Sequence, residues 1–347
     1  MIRSVVGRIL GVVFLFSGFV KCADPVGTQV FVEKYLATYS LDSLLFVALP
    51  IAILLATVEL SLGVMLMVRP QRRITAMLTT LFMALFTLVT LLSATVLPIG
   101  DCGCFGDAVK LSPWETLSKN LVMLPMAAYL WWGSERSRMH RNELITTLLA
   151  LVVGLGLNLY SLRYQPLVEF MPYRVGVNLW EEVSRERLVA QSNTSQYLVF
   201  RSSEGEEIIF PASDTECWSR DDIEFVESRT ESLSSAPLPF AEFIITNADG
   251  EDCTLELLQE HRDARFVAVA SIDALRGRRL SAVRRLLSSD ADVVVLTSDD
   301  AKRVADIVGV VPYNVDAMTL RSLIRSRVGV VEMQDGVITR KCDIRDL

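Results

Sequence analysis

Histidine is nearly absent from this chain: two residues in 347, His140 and His261. No two cysteines stand at the C-x₂₋₄-C spacing that structural zinc favours, so no metal site is expected. P-loops, dinucleotide fingerprints and nucleophile elbows are missing too, which removes the commonest nucleotide and acyl-transfer chemistries. Charge is scarce at 22% of residues, the formal net charge is -7, and no basic patch interleaves with aromatics. Nucleic acid is therefore excluded as a partner. There is no internal repeat, no low-complexity tract, and no small-x-small cleavage site after the first apolar segment. Lys21 directly before Cys22 spoils a lipoprotein site, so that segment reads as an uncleaved helix.

What the chain has instead is apolar length. Mean hydropathy is +0.37, and the excess is concentrated in the first half. Five segments, 5–20, 44–68, 74–97, 117–133 and 144–162, approach the roughly 20 residues that a helix needs to cross a bilayer core. The first and fourth are short, but Arg8 and Lys119 can snorkel and Trp131-Trp132 marks an interface. Arg3, Arg8, Arg69, Arg72, Arg73, Arg136, Arg138 and Arg141 fall on one side. The opposite loops carry Asp24, Glu33, Asp42, Asp101, Asp107 and Glu115. The positive-inside rule sets the amino terminus in the cytoplasm and, after five crossings, the remaining chain outside. In a bacterium that side is the periplasm, where disulfides persist.

Residues 1–135 thus read as a membrane domain and 136–163 as a cytoplasmic loop with the fifth span. Residues 164–235 read as a small β-rich region and 236–347 as an α/β block. Between the first two spans, 26–41 is a partly amphipathic helix, either on the outer interface or packed on the bundle. Ser112-Pro113-Trp114-Glu115 is a capping box that starts the fourth span. Strands at 197–200 and 207–210 suggest a hairpin, and 232–239 a linker. The last block alternates strands 266–270 and 293–296 with helices 279–287 and 299–308. A short helix at 320–325 precedes strands 328–333 and 337–340, joined by an Asp335-Gly336 turn.

Chemistry points first to Cys102 and Cys104, in a glycine-rich loop between two apolar segments. Two thiols separated by one residue close a very small ring, and Gly103 supplies the backbone freedom that closure requires. Such a bond is strained, easily reduced and comparatively oxidising. Asp101 and Asp107 oppose thiolate formation; Lys110 and the start of the next helix favour it. A purely structural bridge would use the same two residues. Cys22, at the outer end of the first span, is either a shuttle thiol or a small hydrophobe. Glu59 is an intramembrane carboxylate that must find a partner, as a proton relay, a head-group contact or an interhelical hydrogen bond. Lys21 and Asp24 pair with each other or with the loop, or anchor at the rim. Cys217, Cys253 and Cys342 allow one bridge and one free thiol, and His261 reads as a solvated residue in a charged helix.

Phe16-Ser17-Gly18-Phe19-Val20-Lys21, Asp24-Pro25, Glu59, and Cys102-Gly103-Cys104-Phe105-Gly106-Asp107 leading to Trp114 and Lys119-Asn120 carry a family resemblance. Over about residues 1–132 the chain resembles the DoxX/MauE-like membrane proteins. MauE-like members are linked to maturation of methylamine dehydrogenase through disulfide formation in its small subunit. A wider similarity is to four-helix thiol oxidoreductases that pass electrons to quinone. The resemblance implies Cys102 and Cys104 as a catalytic redox pair, Lys21, Asp24 and Glu59 as family-pattern residues, and quinone as cofactor by analogy. Cys22 and Asp107 stand beside them as accessory candidates.

The final block is similar to a thioredoxin-like domain, as in the tails of long DoxX-family proteins from Bacteroidetes-type bacteria. Ser271-Ile272-Asp273-Ala274-Leu275-Arg276 occupies the place of the active-site cysteines, and Arg327-Val328-Gly329 that of the cis-proline. The expected architecture is therefore an α-helical membrane bundle, four core transmembrane helices plus a fifth. A periplasmic β-rich region and a degenerate, redox-inactive thioredoxin-like domain follow. The expected function is periplasmic thiol–disulfide exchange in client maturation, at the bacterial inner membrane. Its partners are the lipid bilayer and a periplasmic client or thioredoxin-like redox protein. The alternative is a non-catalytic membrane scaffold or accessory subunit with a structural Cys102–Cys104 bond.

Overall fold

A computed structural model describes residues 2–96, 103, 105–106, 108–109, 111–136, 140–192, 194–202, 207–211, 216–219, 222–232 and 238–347. They form two compact units, Met1–Met171 and Pro172–Leu347.

The first unit is helical: α1 (Ile2–Ala23), α2 (Pro25–Thr38), a 3₁₀ turn (Asp42–Val47), α3 (Ala48–Val68), α4 (Arg73–Thr95), α5 (Pro113–Trp132) and α6 (Arg141–Tyr164). Among the described residues, four helices are long and apolar enough to cross a membrane: Ile2–Ala23, Asp42–Val68, Arg73–Thr95 and Arg141–Tyr164. Leu81, Leu85, Leu88 and Val152 are among the large apolar side chains these helices leave exposed, as lipid-facing surfaces require.

The fourth of the five expected spans falls short of that measure. Glu115, Ser118, Lys119 and Asn120 make the first half of α5 polar. It is nevertheless only three residues shorter than α4 and is bonded to that helix or its approach near both ends. Twenty residues at 1.5 Å rise cover about 30 Å. Near its start, Asn120 bonds to Thr90 in the last third of α4. Just past its end, Glu135 accepts from the backbone N–H of Arg73 and donates its own to Gln71.

The bundle therefore has two distinct ends. At one, Arg3 donates to the carbonyl of Gly133, while Arg69 and Arg72 reach Glu143 at the start of α6. At the other lie Asp24, α2 and the start of α5.

The closest helix contact is between α1 and α3, and glycine makes it possible. A Cβ on Gly18 would stand 2.4 Å from the backbone nitrogen of Leu60; one on Gly63 would stand 2.6 Å from that of Leu15. Without a hydrophobic drive between helices in lipid, such small residues let backbones approach and dispersion contacts accumulate. Leu10, Phe14, Leu62, Leu66, Met83, Met123 and Leu130 fill the space between α1, α3, α4 and α5.

The second unit opens with a helix where a β-rich region was expected: α7 (Leu179–Ser192). Its Leu179 and Val183 are buried in a core with Phe243 and Ile338, although its Glu and Arg residues mask that apolar stripe in the sequence. The expected hairpin is present as β1 (Thr194–Ser202) and β2 (Glu207–Pro211), joined by β3 (Ile223–Ser232) in the order β2-β1-β3.

A six-stranded sheet follows, containing β4 (Ile245–Thr246), β5 (Arg265–Val269), β6 (Val293–Thr297), β7 (Tyr313–Val315), β8 (Val328–Gln334) and β9 (Val337–Asp343). The order is β4-β7-β6-β5-β8-β9; β5, β6 and β7 run parallel, and β4, β8 and β9 pair antiparallel with their neighbours. Helices α9 (Gly277–Leu287) and α10 (Ala301–Val308) cover one face. Helix α7, with α8 (Thr254–Glu260) and α11 (Ala317–Leu323), packs into the core of the other. Asp335 and Gly336 both have positive φ, 51° and 80°, which a two-residue turn between twisted strands favours.

The α1–α3 contact yields a prediction. Gly18→Ala puts a methyl against unyielding backbone and should cost roughly 1–3 kcal/mol, as overpacking does. Gly156→Ala, with nothing within 4 Å of the new Cβ, should be neutral or stabilising. Thermal unfolding of the detergent-solubilised protein compares the two, and equal midpoints would refute the close approach.

Candidate functional site

Ser17 and Lys21 lie one helical turn apart on the face of α1 that meets α3. The glycine contacts bring them onto Glu59. Lys21 Nζ donates to Glu59 Oε2 at 2.6 Å and to Ser17 Oγ at 2.9 Å, and Ser17 Oγ donates to the same Oε2 at 2.8 Å. Lys21 is 4% exposed and Glu59 5%. The charges are thus inside the bundle, not snorkelling at its rim. A buried pair of this kind is worth little net stability, because desolvation offsets the attraction, but removing one partner strands the other.

Asp24 is buried too and acts as a helix cap: its side chain accepts from the N–H of Gly27, and Pro25 takes the first position of α2. This is the N-terminal cap geometry that polar side chain followed by proline predicts. Cys22 is fully buried beside Ala56 and Leu60. Its sulfur accepts from Asn158 Nδ2 at 3.3 Å, and the same nitrogen donates to the Gly154 carbonyl at 2.8 Å.

Cys102, Cys104 and Asp107 lie outside the described residues, but neighbours that flank them are described. Gly103 has φ +62°, and a Cβ there would stand 2.4 Å from the Phe31 ring on α2. Gly103 is a residue that only glycine can be, both for its backbone and for this approach. Its carbonyl accepts from the N–H of Gly106, closing a turn. Phe105 packs against Phe16 with ring centroids 5.7 Å apart, and Lys119 Nζ sits 4.4 Å from the Phe105 ring centroid in cation–π geometry. Gly103 and Phe105 are therefore held on α1, α2 and α5.

Below it is a cavity of about 30 Å³, lined by Ser17, Glu59, Lys119, Asn120, Phe105 and apolar side chains of α1, α4 and α5. Sequence reasoning picked out Lys21 and Glu59 singly but not their pairing. Ser17 and Asn158 were missed as partners; their only signal was a polar residue inside an apolar helix.

Cys253 and Cys342 are free thiols, and Cys217 is buried. Burial pushes the Cys342 and Cys253 thiols above their ordinary pKa. His261 Nδ1 pairs with Asp292 across the fold, so it is a partnered residue rather than a merely solvated one. In the segment 271–276, the N–H of Ile272 donates to Asp299 at 2.6 Å and Arg276 pairs with Asp273 at 3.0 Å.

Apolar spanning helices around a buried ion pair define a multi-pass membrane protein. Residues 1–133 match the family described as methylamine utilisation protein MauE. That match takes in α1 to α5 and stops before α6 and the second unit. No curated protein and no solved structure matches the chain.

Two outcomes follow from this geometry. Glu59→Leu should destabilise by roughly 3–5 kcal/mol by taking from buried Lys21 the carboxylate it is paired with, and the double variant Glu59→Leu/Lys21→Met should recover most of that loss. Chemical or thermal unfolding of the solubilised protein reads this, and additive losses would contradict the pairing. In a Cys102→Ser/Cys104→Ser background, maleimide at pH 7 should label Cys342 at least about tenfold more slowly in native than in unfolded protein, as a buried thiol requires.

Proposed function

We propose that the protein works in periplasmic thiol–disulfide exchange at the bacterial inner membrane, with Cys102 and Cys104 as its redox pair. The amino terminus lies in the cytoplasm, α5 crosses the membrane with the other helices, and the cysteine loop and second unit are periplasmic. The observation that carries this reading is the seating of Gly103 and Phe105 on Phe31, Phe16 and Lys119, at the bundle end opposite Arg3, Arg69 and Arg72. Residues flanking both sulfurs are held in place on that end, where the positive-inside rule sets the oxidising compartment. The MauE match over residues 1–133 supports the membrane setting of this bundle.

In the reaction, a client thiolate attacks the Cys102–Cys104 disulfide and forms a mixed disulfide with one loop sulfur, releasing the other as thiolate. The client's second thiol then attacks its own mixed-disulfide sulfur, so the client leaves oxidised and the loop holds two thiols. A quinone at the bundle takes the two electrons and two protons and restores the loop disulfide. Lys21 and Glu59 hold α1 against α3 beneath the loop, and Cys22 is structural. The second unit is a partner-binding module. Its three parallel strands, flanking helices and terminal antiparallel hairpin support a thioredoxin-like reading, and the cysteine-free segment 271–276 makes it redox-inactive.

A second reading is favoured by the burial of Gly103 against Phe31. A loop packed this firmly also suits an accessory subunit whose Cys102–Cys104 bond is structural.

Maleimide trapping in intact cells distinguishes the two. Under the exchange reading, the redox state of Cys102 and Cys104 follows the growth conditions, and the double serine variant accumulates clients lacking disulfides. A pair that never changes state, together with normal clients in the variant, favours the scaffold. A periplasm-dependent reporter fused after Leu347 should be active; a stable but silent fusion would overturn the topology.

A further inference from the structure

The cavity beneath the loop is lined by an unusual mixture for the inside of a membrane bundle: a carboxylate, an ammonium, an amide and a hydroxyl, with Phe and Met side chains around them. Both bonds that Glu59 accepts fall on Oε2, so Oε1 has no hydrogen-bond partner among the described residues. One turn further toward the loop end, α4 carries Ser93 and α5 carries Thr116. Both are 0% exposed, and neither hydroxyl has a hydrogen-bond partner among the described residues. Between these hydroxyls and the cavity lies the bond from Asn120 Nδ2 to Thr90 Oγ1, 2.9 Å long. Asn120 also lines the cavity itself. A polar seam thus runs from Glu59 through Asn120 toward the outer turns of α4 and α5.

We propose that this cavity is a water site. Its ordered water solvates the Lys21–Glu59 pair and exchanges protons with the loop end through the Asn120, Thr116 and Ser93 seam. The volume suits one or two waters and is too small for an organic ligand, and a water requires two to four polar partners, which this lining provides. An apolar cavity of similar size stays dry; one edged by a carboxylate oxygen with no partner among the described residues does not. Buried hydroxyls left unpaired are costly, and water is the partner that fits where no described side chain reaches. The inference stands whether or not Cys102 and Cys104 change redox state. If they do, the site also gives the loop a local source and sink of protons.

Hydroxyl-radical footprinting by X-ray pulse on the full-length protein in lipid nanodiscs tests this directly, because radicals form from bound water. Met83 and Met123 line the cavity and are 4% and 7% exposed; Met333, in the core of the second unit, is 5% exposed and serves as the internal standard. The expected result is oxidation of Met83 and Met123 about fivefold or more faster than Met333, since water held beside a buried side chain brings the radical to it. Asn120→Leu should bring both down to the Met333 rate. Should that variant fail to fold, Thr116→Val should slow them partly by closing the outer seam. Oxidation of Met83 and Met123 in the unsubstituted protein no faster than that of Met333 would overturn the proposal.

Discussion

Lys21 and Glu59 meet where neither charge has bulk water, so each depends on the other for its place in the bundle. What lets them meet is the absence of side chains nearby: Gly18 and Gly63 allow α1 and α3 to touch backbone to backbone. The pair and the glycines constrain each other. Moving the helices apart would strand two charges, and replacing either charge would leave a close-packed seam with a desolvated ion in it. The relative rotation of α1 and α3 is thereby fixed. With it are fixed the positions of Phe16, which receives Phe105, and of Asp24, which starts α2 toward the Phe31 contact with Gly103.

The two ends of the bundle are built on opposite chemistry. One gathers guanidinium groups onto the Gly133 carbonyl and the carboxylate of Glu143. The other uses rings, glycines and one ammonium to hold a tight turn. This polarity follows from interfacial arginines on one side and a compact seat of rings and glycines on the other. It is more informative than the hydropathy of any one helix. Helix α5 is the case in point: its composition alone leaves it below the usual measure of a span, while hydrogen bonds near both ends tie it alongside α4.

Much of this was legible in the sequence. The long apolar helices, the capping box before α5 and the β8–β9 hairpin with its Asp335-Gly336 turn follow local rules of length, cap and turn chemistry. Strands β5, β6 and β8 fall within a residue or so of where apolar runs set them. Other features were not readable because they depend on what lies opposite in three dimensions. Helix α7 has an amphipathic stripe diluted by charge, so its burial shows only once the sheet it covers exists. The pairing of Lys21 with Glu59, across 38 positions, needs the α1–α3 rotation, and so does the choice of Asn158 as partner to Cys22. The three cysteines of the second unit could be counted but not paired, since pairing is a matter of distance.

Helix α6 touches the rest of the bundle through a narrow strip of small or polar residues, Ala150, Gly154, Asn158 and Ser161. Its remaining circumference is open to lipid, and the family match ends eight residues before it begins. The ion pair, the loop seat and the hydrated cavity are all complete without it. In architectural terms α6 is a mast stepped against a finished hull: Asn158 ties it to Cys22 and Thr57 toward one end, and Glu143 ties it to Arg69 and Arg72 at the other. Such an attachment lets a five-helix core and the helix beside it change independently, so long as the strip from Ala150 to Ser161 and the Glu143 contact are kept in common.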